Sequence, residues 1–410
     1  MDDPARRLAG NCDFGRLWAA RAVSDFGSMV SRTALSFTAI LYLKATPGQL
    51  GLLLAVSLAP RLVAGPVAGV LADRMPRRTL MVGADIGRAL LLATVPAAAL
   101  VGRLTIAHLI LVTALAGALG LLFDVASGAY LPAIVPAPDL IGANSRLTAT
   151  AAVAEFGAFS IGGWLVQWFT APFAVLIDAI TFLFSAGSLG LIRAKETAPA
   201  EGDRAAGAHA RLRDGFAQIV RDPVLASLAG VTLLMGLGGG IEGAVMVAFM
   251  TRVLQFPPGP LGLIWSVGGI ASLVGARYAE RIARRVGPGP ALAGALLIVA
   301  AGIVATGSAR GPTLGAAVLL ILNQLSDAAY AVFEILKASL VQSIVPGRLL
   351  GRIHGLFETV AVGAMLAGAL IGGMLGERPG LRFAVCAGAF CFADAALVAM
   401  ATPVRRARVG

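Results

Sequence analysis

Long apolar runs separated by short polar turns dominate the chain, and each run has the length an α-helix needs to cross a bilayer, about 20 residues. Twelve can be drawn: Phe14–Tyr42, Gln49–Ala72, Thr79–Val101, Ile106–Tyr130, Ser145–Phe169, Pro172–Ile192, Val224–Thr251, Gly259–Tyr278, Gly289–Ser308, Thr313–Leu336, Arg352–Gly376 and Leu381–Thr402. The longest connection, residues 193–223, is polar, carries Pro199, Gly202 and Gly207, and divides the spans six to six. The pattern predicts an all-α membrane protein: an N-terminal six-helix bundle over residues 1–192, a cytoplasmic linker over 193–223, and a C-terminal six-helix bundle over 224–410. Within the linker, Leu212, Phe216, Ile219 and Val220 keep helical spacing among Arg211, Arg213 and Arg221. That predicts an amphipathic helix lying on the inner leaflet rather than a plain solvated linker.

The basic residues orient these spans. With the N-terminus in the cytoplasm, twenty-three Lys and Arg fall in inside segments, against six in outside turns (Lys44, Arg103, Arg252, Arg310, Arg378 and Arg382). Cytoplasmic loops carry such an excess, and a missed span would have diluted it. Both termini are then cytoplasmic and the location is a bacterial inner membrane. Composition agrees: the 410 residues are 58% hydrophobic and 13% charged, with mean hydropathy +0.84, more apolar surface than a polar shell could cover. The net charge of +11 does not indicate nucleic acid, because the basic residues lie in short clusters between apolar runs, with only four Tyr and four Trp for stacking. Cys12, Cys386 and Cys391 share no metal-ligand spacing, so neither a metal nor another cofactor is expected. The N-terminus is too polar for a secretory signal. His209 and His354 lack a nucleophile beside them in sequence, and no GxxxxGK[ST] loop is present; an enzyme is not expected.

The two halves repeat. Leu71–Arg78 (LADRMPRR) matches Tyr278–Arg285 (YAERIARR), Ala133–Pro136 answers Ser343–Pro346, and Gly162-Gly163 answers Gly372-Gly373, at offsets of 207 to 210 that also set Asp124 opposite Glu334. Duplicated bundles are an architecture of secondary transporters, in which two halves rock around a site at mid-membrane depth.

Between spans two and three, Gly65-Pro66-x-x-Gly69-x-Leu71-Ala72-Asp73-Arg74-x-x-Arg77-Arg78 resembles the signature loop of the major facilitator superfamily. The resemblance extends through topology and repeat to the whole chain. It implies that small residues such as Gly69 let spans two and eleven approach. It also implies that Asp73, Arg74, Arg77 and Arg78 latch the cytoplasmic face. Glu280, Arg281, Arg284 and Arg285 are their counterparts, and Asp85 and Arg88 the structural partners of the latch. Ala84–Arg88, Ala129–Pro136 and Asn144–Leu147 are similar to the enterobactin-exporter-like branch, which includes macrolide and other drug efflux proteins. Glu155–Gly163 is similar to the glycine-rich antiporter motif of span five, with Ala158 where proline is usual, and span four lacks the arginine of many drug–proton antiporters.

Ionisable groups at membrane depth are costly and face water or a partner. Asp25 lies roughly 16 Å into span one, and Arg61 on span two is its expected partner. In the facilitator fold, spans one, four, seven and ten line the cavity. Here they carry Asp25, Asp124, Glu242, and Asp327 with Glu334. A carboxyl in low dielectric favours its uncharged form and can exchange a proton. Asp25, Glu242 and Asp327 are therefore the coupling candidates, with Asn323 and Gln324 adding hydrogen-bonding capacity beside Asp327. Asp124 and Glu334, near the cytoplasmic ends of their spans, read as gate or interface salt bridges. Glu155, Asp178, Glu358 and Asp394 lie on spans that line the cavity less often and are secondary. The run Gly236–Gly243 (GLGGGIEG) marks either a flexible point or close packing. The expected function is proton-coupled efflux of a small amphipathic organic compound, drug- or siderophore-like, by a monomer whose partners are substrate, protons and lipid. An importer or lipid-type flippase of the same fold, or a transport-inactive sensor, is the alternative.

Overall fold

A computed structural model describes residues 8, 10–194 and 216–406, with the backbone alone at 65–67, 70, 73, 155, 156, 159 and 348. Among the described residues it is all helical. In chain order the helices are α1 (Cys12–Phe37), α2 (Pro47–Val63), α3 (Gly65–Arg74), α4 (Arg77–Leu100), α5 (Ile106–Ile134), α6 (Leu140–Phe169) and α7 (Ala171–Gly190). They continue as α8 (Pro223–Ala248), α9 (Pro258–Val286), α10 (Pro288–Ser308), α11 (Leu314–Leu325), α12 (Asp327–Ile344), α13 (Gly347–Leu375) and α14 (Leu381–Ala401). Among the described residues, eight helical stretches are long and apolar enough to cross a membrane. One of them, Leu349–Ala401, runs through two of the expected spans, and Pro47–Val63 is a shorter apolar helix.

The helix starts are set by side chains that accept the amides a first turn leaves without partners. Asn11 accepts from Phe14 N–H, and Asp222 from Val224 and Leu225 N–H; Thr105 and Thr313 cap α5 and α11. The repeat thus extends to its caps. Two apolar runs that sequence reads as continuous are divided. Span two breaks at Ala64, two residues before Pro66, whose ring removes a donor and crowds the preceding turn. Span ten breaks at Ser326, whose hydroxyl donates to Asn323 O at 2.6 Å. In the linker, residues 216–221 are helical with Ile219 buried, while Leu212, Arg211 and Arg213 lie outside the described residues.

The described chain divides into two compact units. Unit 1 holds residues 1–45, 59–201 and 257–263; unit 2 holds 46–58, 202–256 and 264–410. In unit 1, α1 packs on α6 and α7, and α4 packs on α5 and α7, around Phe14, Leu17, Met81, Phe123 and Tyr130. Unit 2 repeats that order: α8 packs on α13 and α14, and α10 packs on α11, α12 and α14. Gly236 and Gly240 of α8 face the Ala361 and Met365 carbonyls of α13, while Gly368 and Gly372 of α13 face the Leu237 and Ile241 carbonyls of α8. Four-residue spacing of small residues lets two backbones touch. With α8 continuous through it, the GLGGGIEG run is close packing.

Candidate functional site

Unit 1 buries charge of both signs. On α1, Arg21 reaches two acids: its Nε lies 3.9 Å from Asp25 Oδ2 and its Nη2 3.2 Å from Asp124 Oδ1 on α5. Deeper, Arg88 of α4 pairs with Asp85 one turn earlier, both almost fully buried (7% and 0% exposed). The Arg88 guanidinium lies over the rings of Phe182 and Phe123, 4.0 and 4.8 Å from their centroids. Such contacts offset part of the cost of holding a cation away from water. Asp178 of α7 is 1% exposed; it accepts from Thr181 Oγ1 at 2.9 Å, and the Ser31 hydroxyl of α1 lies beside it. Gly27 lets α1 approach here, because a methyl at that position would overlap Asp178 and Thr181.

Unit 2 presents two acids, Glu242 and Asp327, that form no salt bridge among the described residues. Glu242 stands on α8 where α14 has Gly388, so that a methyl added to that glycine would lie 3.5 Å from Glu242 Cβ. Asp327 opens α12 directly after the break at Ser326 and sits against Gly268 of α9. Gln324 Nε2 donates to Trp265 O at 3.3 Å, and Ser272 Oγ to Asp327 O at 3.4 Å. Asn323 faces Gly302 of α10 instead, so Gln324 joins Asp327 on the α9 side and Asn323 does not. Glu334 pairs with Lys337 at 2.7 Å.

Several expected placements change. The partner found for Asp25 is Arg21, one turn earlier, where Arg61 was expected. Asp85 and Arg88 lie inside the helix core, because their i, i+3 spacing turns them toward α5 and α7. Among the described residues a methyl on Gly69 would meet nothing within 4 Å; on the same span a methyl on Gly51 would overlap Ala369 O and Gly373 of α13. Of the arginine loop, Arg77 donates to Ala129 O at 2.9 Å, and Arg78 donates to Leu189 O at 3.0 Å and to Gly190 O. Arg78 thereby caps the C-terminus of α7, the end that a cation favours. Arg74 is exposed, and the Asp73 side chain lies outside the described residues. Glu280 pairs with Arg284 at 2.6 Å, Arg281 lies over Tyr278, and Arg285 ends the same exposed helical turn. Sequence reasoning gave no role to Arg21, Ser31 or Thr181 and held Asp178 secondary. The signals were the four-residue spacing of Arg21 and Asp25 and the alignment of Asp178 with Gly388 in the repeat.

Against known proteins, the Major Facilitator Superfamily model matches residues 17–369. The uncharacterized MFS-type transporter YfiS of Bacillus subtilis (strain 168) is 28% identical over 394 residues, covering 90% of this chain and 88% of that protein. The multidrug efflux pump Tap of Mycolicibacterium fortuitum is 25% identical over 338 residues, 79% of each chain. The crystal structure of nucleoside transporter NupG matches with a TM-score of 0.75 at 16% identity, covering 95% of this chain and 98% of that one, a likeness of fold alone. A family match over most of the sequence, on the all-helical fold with its repeated packing, means that this chain belongs to the Major Facilitator Superfamily and works in membrane transport.

Proposed function

We propose that the chain is a proton-coupled exporter of small amphipathic organic compounds, working by alternating access through twelve spans in a bacterial inner membrane with both termini cytoplasmic. The observation that carries this reading is a pair of acids on two expected cavity-lining spans: Glu242, packed where α14 has Gly388, and Asp327, set against Gly268 of α9, neither in a salt bridge among the described residues. Charge on both at once is costly in a low-dielectric setting without a cation. Binding and release of a proton there changes the balance between two states of the protein, and a bound group can shift that balance only through its different affinity for each. Efflux as the direction, and drug-like compounds as cargo, are supported by the likeness to Tap and by the span-three, span-four and span-five motifs that resemble the enterobactin-exporter-like branch.

The test is a growth-protection screen in an efflux-deficient host, followed by accumulation of the protected compound in inverted vesicles with and without a proton gradient. Gradient-dependent accumulation that Glu242→Gln and Asp327→Asn abolish is the expected result. Accumulation in the same vesicles without a gradient, or unchanged in both variants, overturns proton coupling at these residues. Uptake that sensitises the host overturns export.

A further inference from the structure

The first turns of α2 and α9 share a sequence: Pro47-Gly48-Gln49-Leu50-Gly51-Leu52 against Pro258-Gly259-Pro260-Leu261-Gly262-Leu263. So do the ends of spans five and eleven: Ile161-Gly162-Gly163-Trp164-Leu165-Val166-Gln167 against Ile371-Gly372-Gly373-Met374-Leu375-Gly376-Glu377. Within unit 2 one member of each pair meets the other. A methyl on Gly373 would lie 2.9 Å from Pro47 O and 3.2 Å from Gly51 Cα. One turn on, Glu377 Oε1 accepts from Thr46 Oγ1 at 2.7 Å and from the Gly48 N–H at 3.2 Å. Within unit 1 the counterparts meet in the same way: a methyl on Gly163 would lie 3.1 Å from Gly262 Cα, and Gln167 Oε1 accepts from the Gly259 N–H at 2.9 Å. Each acceptor takes an amide that the first turn of a helix leaves without an intrahelical partner.

The match is unequal in two respects. Glu377 replaces a neutral amide with a carboxylate, which a helix N-terminus favours and which makes the stronger hydrogen bonds. It also takes a second donor from Thr46, whereas the residue at that place before α9 is Pro257, which has no hydroxyl. Glu377 thus holds the start of α2 as a charged acceptor with two donors, and Gln167 holds the start of α9 as a neutral acceptor with one.

We propose that Glu377 and Gln167 are a paired set of clasps on the starts of α2 and α9, and that the pair is graded, so that α9 releases from Gln167 more readily than α2 releases from Glu377. The purpose rests on the transporter reading, since alternating access requires helices that hold in one state and let go in another. The readout does not involve transport, so a failure here is distinguishable from a failure of that reading.

The test is hydrogen–deuterium exchange of the purified full-length protein in lipid nanodiscs, with the Gly48 and Gly259 amides resolved and each rate compared with its intrinsic value. Gly48 is expected to be protected about tenfold more than Gly259, the scale of one charge-assisted hydrogen bond against a neutral one. Glu377→Gln should bring Gly48 close to the Gly259 level, Thr46→Val should fall between, and Gln167→Glu should raise protection at Gly259. Each change should stay confined to its own clasp. Equal protection of the two amides in the unaltered protein overturns the grading. Glu377→Gln and Thr46→Val both leaving Gly48 unchanged overturns the clasp itself, and because these variants are near-isosteric, folding does not decide the outcome.

Discussion

Ser31 and Glu242 stand at equivalent points of the repeat, 211 residues apart, and Asp178 and Gly388 do so at 210. In unit 1 the carboxyl at this place comes from α7 and a hydroxyl on α1 lies beside it; in unit 2 the carboxyl comes from α8, and glycine on α14 leaves the room. The packing point is kept, with Gly27 and Gly238 each letting its helix touch the partner, while the acid has changed helices. The surroundings differ more. Unit 1 surrounds its acids with Arg21 and Arg88, whereas Glu242 and Asp327 form no salt bridge among the described residues. One fold position thus serves two electrostatic purposes: acids balanced in place in unit 1 and, on the proposed reading, acids that exchange protons in unit 2.

The sharpest break of this comparison is at Arg88. Replacing it by methionine leaves Asp85 buried without its cation, and removing one partner of a buried pair costs about 3–5 kcal/mol. Thermal unfolding in detergent should show that loss, and Arg88→Met with Asp85→Asn together should recover most of it. If the double variant is no better than the single, the pair is not what balances unit 1. Next comes unit 2. Glu242→Gln removes an acid that forms no salt bridge among the described residues, so the protein should fold with little change in melting temperature, while gradient-driven accumulation of the screened compound falls about tenfold or more, about 1.4 kcal/mol per decade. A large stability loss with transport retained would reverse the roles assigned to the two units.

Much of this was legible in the sequence. The apolar runs and the duplication follow from local pattern, because helix formation and burial in lipid are read residue by residue; the caps at Asn11, Asp222, Thr105 and Thr313 use residue types suited to helix starts but were seen only in the structure. Asp124 has a partner on another helix, in Arg21, whereas Glu334 pairs with Lys337 on its own helix, one turn on. What escaped depends on helix rotation and on breaks. Arg61 and Arg21 are equally basic, and only the direction in which α1 faces α5 makes Arg21 the bridge. The spacing of Asp85 and Arg88 was visible, but not that this face of α4 turns inward. Proline at 66 signalled a break inside span two; Ser326 gave a weaker signal, since serine inside a helix usually bonds back without ending it. Gln167 and Glu377 were readable in principle from the repeat, but their meaning needs the backbone amides they meet.

A smaller effect sharpens the picture of the helix that carries Glu242. A methyl on Gly240 would overlap the Met365 carbonyl, a backbone atom that cannot rotate away, whereas Gly239 has nothing within 4 Å. Gly240→Ala should therefore cost about 1–3 kcal/mol in thermal unfolding, and Gly239→Ala should leave stability unchanged or slightly raised, since alanine is the better helix former. Equal losses would mean that α8 acts as a flexible segment at this run, and that Glu242 is not held in place by packing as Asp178 is.

The smallest effect is expected at the counterpart of the arginine loop. Glu280 and Arg284 pair at 2.6 Å on the last turns of α9, but both side chains are largely exposed, 77% and 72%. Ion pairs in water contribute about 0–1 kcal/mol and are screened by salt. Arg78 differs, being fastened to two carbonyls at the end of α7. Glu280→Gln should thus shift stability by no more than about 0.5 kcal/mol, and by less still in half-molar salt, while Arg78→Met should cost about 1–2 kcal/mol through the carbonyls it leaves without a donor. The comparison bears on the latch expected at both loops: a Glu280→Gln loss as large as that of Arg78→Met, persisting in high salt, would require a partner for Glu280 other than Arg284 and would support a latch in this half of the repeat.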